Sequence, residues 1–121
     1  MRAFVLASTD TPPAVTDLPL PEPAPGEIRL KIRACGLNFA DLLMAQGQYQ
    51  ERPALPFVMG MEVAGEVDAL GEGVTAFAPG QRVAAFYGQG GLAEYGCFPA
   101  TACLPIPEAM PFDQELGRAH V

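Results

Sequence analysis

Few residues of this sequence carry side chains that could do chemistry at neutral pH. The chain has three cysteines, Cys35, Cys97 and Cys103, and one histidine, His120. A structural zinc site takes four clustered ligands, and the cysteines supply too few of them. An odd number of thiols without a paired framework is typical of a reducing compartment, where packing is their usual role. We therefore expect no disulfide between Cys97 and Cys103, no structural zinc, and a solvated His120.

Four polar side chains remain as candidates, and each has a structural alternative. Asn38 is a good helix N-cap, but a cap uses only the side-chain oxygen and leaves the amide group free to reach a cleft. The phenol of Tyr49 can donate a hydrogen bond or a proton, since an unperturbed tyrosine has a pKa of about 10. A tyrosine after a helix is, however, commonly a half-buried packing residue. For Glu62 we expect a buried carboxylate with structural hydrogen bonds. For Asp41 we expect a position in the first turn of a helix.

The composition excludes several classes of partner. Seven basic and fourteen acidic residues give a formal charge of −7, with no basic patch, so nucleic acid is not an expected partner. No apolar run approaches the roughly 20 residues of a membrane span, and the N-terminus does not resemble a signal peptide. These features predict a soluble, cytoplasmic protein that does not bind membranes.

The elements that must position these residues are predicted to be short strands. Glycine and proline number 13 each in 121 residues, which favours strands and turns over long helices. Prolines at every second position over 19–25 predict a stiff extended connector. Residues 50–59 are predicted to be an irregular loop. The predicted strands lie at 1–8, 14–20, 27–34, within 60–74, and at 81–87, 92–98 and 101–106.

Two segments have a clear period. Residues 27–34 alternate, with Ile28, Leu30, Ile32 and Ala34 on one face and basic residues on the other, as in a half-buried strand whose outer face meets solvent. Residues 38–47 predict a short helix that starts at Asn38. Its apolar side chains, which include Leu43, are expected to cover one end of the predicted β structure.

Four sequence motifs follow one another along the chain. They are Ala-Cys-Gly-Leu-Asn-Phe-Ala-Asp at 34–41, with Gly47 and Tyr49 following, Gly-Met-Glu-Val-Ala-Gly and the glycines after it at 60–74, Pro-Gly-Gln-Arg-Val at 79–83, and Gly-Gly-Leu-Ala-Glu-Tyr at 90–95. Any one motif is weak, but in this order they resemble the GroES-like N-terminal domain of the quinone oxidoreductase branch of the medium-chain dehydrogenase/reductases. The resemblance covers the chain from residue 1 to about 113 and implies a mainly β, partly open barrel with one or two short helices.

The resemblance also predicts that no catalytic zinc is present. Zinc-dependent relatives place a ligand cysteine where Asn38 stands and a ligand histidine where Met61 stands. An amide oxygen is too weak and a thioether too soft to replace them. Without a metal, the implied reaction is hydride transfer from NADPH to an electron-poor acceptor such as a quinone or an enone.

Site roles follow from the same resemblance. Asn38 and Tyr49 match positions that face the nicotinamide end of NADPH and the acceptor, so both are implied catalytic and cofactor-binding residues. Met61 is implied to fill the space of the lost metal and to line the acceptor pocket, together with Leu43, where some members have an aromatic residue.

The resemblance divides the chain into a GroES-like, substrate-side domain at 1–112 and a tail at 113–121, where the link to a nucleotide-binding Rossmann domain would begin. We expect the chain without that domain to be inactive and to bind no NADPH by itself. An exposed apolar face is expected where the Rossmann domain would pack, and it could drive formation of a homodimer. The alternative is a non-catalytic GroES-like module for binding or oligomerisation.

Overall fold

The computed structural model describes residues 1–8, 10–36, 55–107 and 110–111, and in these residues the chain is mainly β. The predicted helix over 38–47 and the tail at 113–121 lie outside the described residues. The strands are β1 (Arg2–Leu6), β2 (Ala14–Asp17), β3 (Glu27–Gly36), β4 (Phe57–Val58), β5 (Glu62–Leu70), β6 (Arg82–Phe86), β7 (Tyr95–Pro99) and β8 (Cys103–Pro105), with one turn of 3-10 helix at Ala100–Ala102.

The strands form two antiparallel sheets. One has three strands in the order β2-β1-β4, and the other has five in the order β7-β3-β5-β6-β8. Residues 92–94 join the sheets, because the Phe4 amide donates to the Leu92 carbonyl at 2.8 Å and the Ile32 amide donates to the Glu94 carbonyl at 3.0 Å. The result is the mainly β, partly open barrel that the sequence predicts.

Strand β3 lies between β7 and β5 in the larger sheet and shows the predicted alternation. Ile28 and Leu30 are fully buried, whereas the basic residues between and after them face outward. Two of these are held by ion pairs with β5, Arg29 with Asp68 at 2.8 Å and Arg33 with Glu66 at 2.9 Å. The outer face of the strand is therefore an ion-paired surface.

Strand β5 carries the glycine-punctuated stretch, and Gly65 shows why glycine is needed there. A Cβ atom at this position would collide with the Lys31 carbonyl group of β3. The two strands can approach only because this side chain is missing.

Two apolar clusters stabilise the fold. The first lies on the inner face of the five-stranded sheet, and the second lies where β1 and β4 meet the entry to β5. The first contains Ile28, Leu30, Val63, Val67, Val83, Ala85, Phe98 and Cys103, and the second contains Leu6, Phe57, Met59 and Met61.

The structure corrects the sequence prediction at four places. One is the strand predicted over 101–106, which begins only at Cys103, after the turn of 3-10 helix. The segment predicted as an irregular loop contains β4, which pairs with Val5 and Leu6 of β1. The strand predicted over 92–98 begins only at Tyr95, because residues 92–94 instead bridge the sheets. The strand predicted to reach residue 20 ends at Asp17, close to the first proline of the connector.

The three cysteines form no disulfide, as predicted. No helix among the described residues is long and apolar enough to cross a membrane.

Candidate functional site

Met61 is the predicted site residue that the structure describes, and it lies immediately before β5. Its side chain is 5% exposed and belongs to the second apolar cluster. Phe57 and Met59 bring the short β4 segment against it, while Leu6 comes from the end of β1. The position that carries a ligand histidine in zinc-dependent relatives is therefore part of a packed apolar cluster.

Glu62 follows Met61 and is a buried carboxyl group. The residue is 3% exposed, and its strand partners are Gly36 of β3 and Phe86 of β6. A Cβ atom at Gly36 would lie 3.2 Å from Oε2 of Glu62. The glycine thus leaves room for the carboxyl group at the end of β3, two residues before Asn38.

Tyr87 is a candidate residue that the sequence pattern gives no reason to select. Its amide donates to the Met61 carbonyl at 2.8 Å, and its side chain is partly exposed, with the residue at 40%. The ring packs edge-on against Phe98, with 6.4 Å between ring centroids. A partly exposed phenol can offer a hydrogen bond to a small molecule. In the sequence, Tyr87 is the last residue of the strand predicted over 81–87.

A pocket of about 650 Å³ lies beside the C-terminal half of β3. This volume is in the range of small-molecule sites. Leu92 lines it and also packs against the second apolar cluster, so the pocket and the Met61 cluster share a wall. The lining residues are Arg2, Ala3, Phe4, Val15, Ile32, Arg33, Ala34, Cys35, Gly91, Leu92, Ala93 and Glu94.

Two of the thiols are poorly suited to nucleophilic or metal chemistry. Burial raises the pKa of Cys103 to about 12. Burial, with a further contribution from the Glu27 carboxylate, raises the pKa of Cys97 to about 11, although Arg29 acts in the opposite direction. Both thiols therefore stay protonated at neutral pH, which agrees with a packing role.

The described part of the chain offers few groups that could bind a metal ion. Among the residues that the structure describes, no three histidine, cysteine, aspartate or glutamate side chains cluster closely enough to hold one. A buried thioether at Met61 is a soft, weak donor for zinc. Asn38, Leu43 and Tyr49 lie outside the described residues, so their site roles stay predictions.

Comparison with known proteins identifies the domain. A family model of the alcohol dehydrogenase GroES-like domain matches residues 24–108. The chain belongs to this family. The GroES-like fold predicted from the four motifs is thereby confirmed.

Relatives of this GroES-like domain include quinone oxidoreductase-like proteins. Over 94 residues it is 46% identical to the quinone oxidoreductase-like protein 2 homolog of Nematostella vectensis, a match that covers 77% of the chain and 26% of that protein. It is 47% identical over 94 residues to the human synaptic vesicle membrane protein VAT-1 homolog, covering 78% of the chain and 24% of that protein.

A solved structure gives the same result. The quinone oxidoreductase from Thermus thermophilus, described together with its NADPH complex, superposes with a TM-score of 0.77 at 44% identity. The match covers 92% of the chain and 34% of that protein. The GroES-like domain therefore spans only about a quarter to a third of the length of these relatives.

Proposed function

We propose that this chain is the substrate-side domain of a zinc-independent reductase that transfers hydride from NADPH to a quinone or an enone. The observation that carries the proposal is Met61, a packed apolar residue at the position where zinc-dependent relatives carry a ligand. The relatives named as quinone oxidoreductases support the reaction class. The NADPH complex of the Thermus protein supports the cofactor.

The chain's own residues would hold and polarise the acceptor. Conjugation in a quinone or enone lowers the barrier that a metal would otherwise lower, so hydrogen bonds to the acceptor oxygen suffice. Asn38 is proposed to orient the acceptor against the nicotinamide, and Tyr49 to donate a hydrogen bond or proton to the developing enolate oxygen. Met61 and Leu43 are proposed to form the apolar wall of the acceptor pocket. When bound, NADPH supplies the hydride.

Tyr87 extends this assignment to a described residue. Its amide donates a hydrogen bond to the Met61 carbonyl, which fixes the end of β6 beside the proposed acceptor wall. Its partly exposed phenol is a second candidate hydrogen-bond donor. We propose that Tyr87 contacts the acceptor, whereas Tyr49 acts on the reacting oxygen.

The cofactor is proposed to bind mainly to a Rossmann domain in the remainder of the protein, because a helix N-terminus after a glycine-rich turn is what holds a pyrophosphate. The chain alone should therefore oxidise no NADPH. We further propose that the protein works in the cytoplasm.

Site variants of the complete protein test the proposal. We expect Tyr49→Phe to lower kcat for quinone-dependent NADPH oxidation by about 100-fold, the usual size of a general-acid effect.

We expect Asn38→Ala to lower kcat/KM, and Tyr87→Phe to raise the KM for the acceptor with little change in kcat. The control is Tyr95→Phe, on β7, which should change neither parameter. Wild-type kinetics in Tyr49→Phe and Asn38→Ala would refute the proposed roles.

A second candidate is a binding or oligomerisation module without chemistry. Two exposed apolar residues, Val15 on β2 and Leu104 on β8, at 68% and 64% exposure, favour contact with another protein. Light scattering of the isolated chain separates the two candidates. A closed ring of subunits would favour the module, and a monomer or small dimer would favour the reductase domain.

A further inference from the structure

After β8 the chain leaves the barrel, and few backbone hydrogen bonds can hold this outgoing segment against the sheet. The pairing of β6 with β8 reaches Val83 opposite Pro105. Pro105, Pro107 and Pro111 have no amide hydrogen to donate. Between Pro105 and Pro107 only Ile106 can donate to the ladder, so contacts beyond the ladder help to fix the direction of the chain after it.

Arg82, the first residue of β6, contacts the outgoing segment twice, once through the ladder and once beyond it. Its carbonyl accepts a hydrogen bond from the Ile106 amide at 3.0 Å. Its guanidinium, through Nη2, donates to the Met110 carbonyl. One residue thus holds the outgoing segment at two points, one with its backbone and one with its side chain.

The outgoing segment is shaped to meet the guanidinium. Ile106 is 7% exposed and buried against the barrel. The Met110 amide donates to the Pro107 carbonyl at 3.1 Å. A hydrogen bond from a charged donor to a carbonyl is stronger than a neutral one. Met110 is thus linked both to Pro107 and to the start of β6.

We propose that Arg82 is a latch that fixes the direction in which the chain leaves this domain. The family match ends at residue 108, within the latched segment. The latch would therefore set how any part of the protein beyond this segment is oriented relative to the barrel. It is independent of the proposed reaction.

Amide hydrogen exchange of Arg82→Gln, followed by NMR, tests the latch. Loss of the side-chain bond should raise exchange at Ile106 and Met110 by about tenfold, while amides of β5 stay within about twofold of the wild type. The matched control is Arg33→Gln, whose side chain bonds Glu66 instead of the outgoing segment. It should leave Ile106 and Met110 unchanged.

Two results would overturn the latch. One is unchanged exchange at Ile106 and Met110 in Arg82→Gln. The other is an equal loss of protection in β3, β5 and the outgoing segment, because Arg82 would then support the whole fold. If Arg82→Gln does not fold, Arg82→Lys decides. The lysine ammonium, a point charge on a flexible side chain, replaces the planar guanidinium poorly. Exchange should therefore rise selectively at Ile106 and Met110. A wild-type exchange profile would refute the proposal.

Discussion

At the scale of single residues, Gly60 shows how closely two backbones meet beside the proposed site. Gly60 has a φ of +102°, and a Cβ atom there would lie 2.5 Å from the Leu92 amide nitrogen. The Gly91 amide donates to the Gly60 carbonyl at 2.9 Å. This contact holds the 90–92 segment against the entry to β5, directly before Met61.

We expect Gly60→Ala to lower the free energy of unfolding more than Gly73→Ala. Gly73 also has a positive φ, +85°, but nothing lies near its Cβ position. The control Gly73→Ala therefore introduces backbone strain without a steric clash. The crowding at Gly60 should add about 1–3 kcal/mol, measured by urea denaturation of both variants. Equal losses would show that the close approach contributes nothing.

The buried thiols predict an alkaline loss of stability. The folded-state pKa values of about 11 for Cys97 and about 12 for Cys103 lie above the ordinary thiol value of 9.0. Folding therefore favours the protonated thiols, whose contribution is fully present below pH 9 and is lost as the pH rises towards 11 to 12. Cys103→Ser should flatten the fall in unfolding free energy between about pH 8 and about pH 10.5. An unchanged slope would contradict the assignment to this thiol.

At the scale of elements, Arg29 connects β3 to the proline connector. Its side chain is 13% exposed, bonds Asp68 at 2.8 Å and donates to the Pro21 carbonyl at 3.1 Å. Arg33, further along the same strand, is 44% exposed and pairs with Glu66. Arg29 therefore connects β3, β5 and the proline connector, whereas Arg33 connects β3 and β5 at a solvent-exposed position.

We predict that Arg29→Met destabilises the chain by about 1–3 kcal/mol, because a nearly buried charged donor is removed from two acceptors. Arg33→Met should cost less than about 1 kcal/mol, as for exposed ion pairs. Chemical denaturation of both variants at two salt concentrations checks the order. A larger loss in Arg33→Met would mean that the connector is not held by Arg29.

The elements also show what a sequence can predict. The alternation of Ile28 and Leu30 places β3 correctly, because a half-buried strand has a period that is visible in the sequence. The two residues of β4 escape prediction because they pair with Leu6 and Val5, far earlier in the chain, and no local pattern encodes that partner. Tyr87 escapes prediction for the same reason, since its link to Met61 crosses between strands.

At the scale of the whole molecule, exposed apolar residues predict weak self-association of the isolated chain. Leu104 is 64% exposed on β8, the edge strand of the larger sheet. Leu104→Lys should shift a monomer–dimer equilibrium towards monomer in light scattering, because a charge protects an edge strand from pairing. Leu20→Lys, in the proline connector, is the control and should have no effect. A dimer that persists unchanged in Leu104→Lys would place the contact elsewhere.

We propose that the complete protein reduces activated double bonds without a metal ion. The most direct test is the acceptor-dependent oxidation of NADPH by the complete protein, with and without a zinc chelator. We predict equal rates of quinone or enone reduction in both conditions and no oxidation of simple alcohols. Loss of activity on chelation, or alcohol oxidation that requires stoichiometric zinc, would contradict the account.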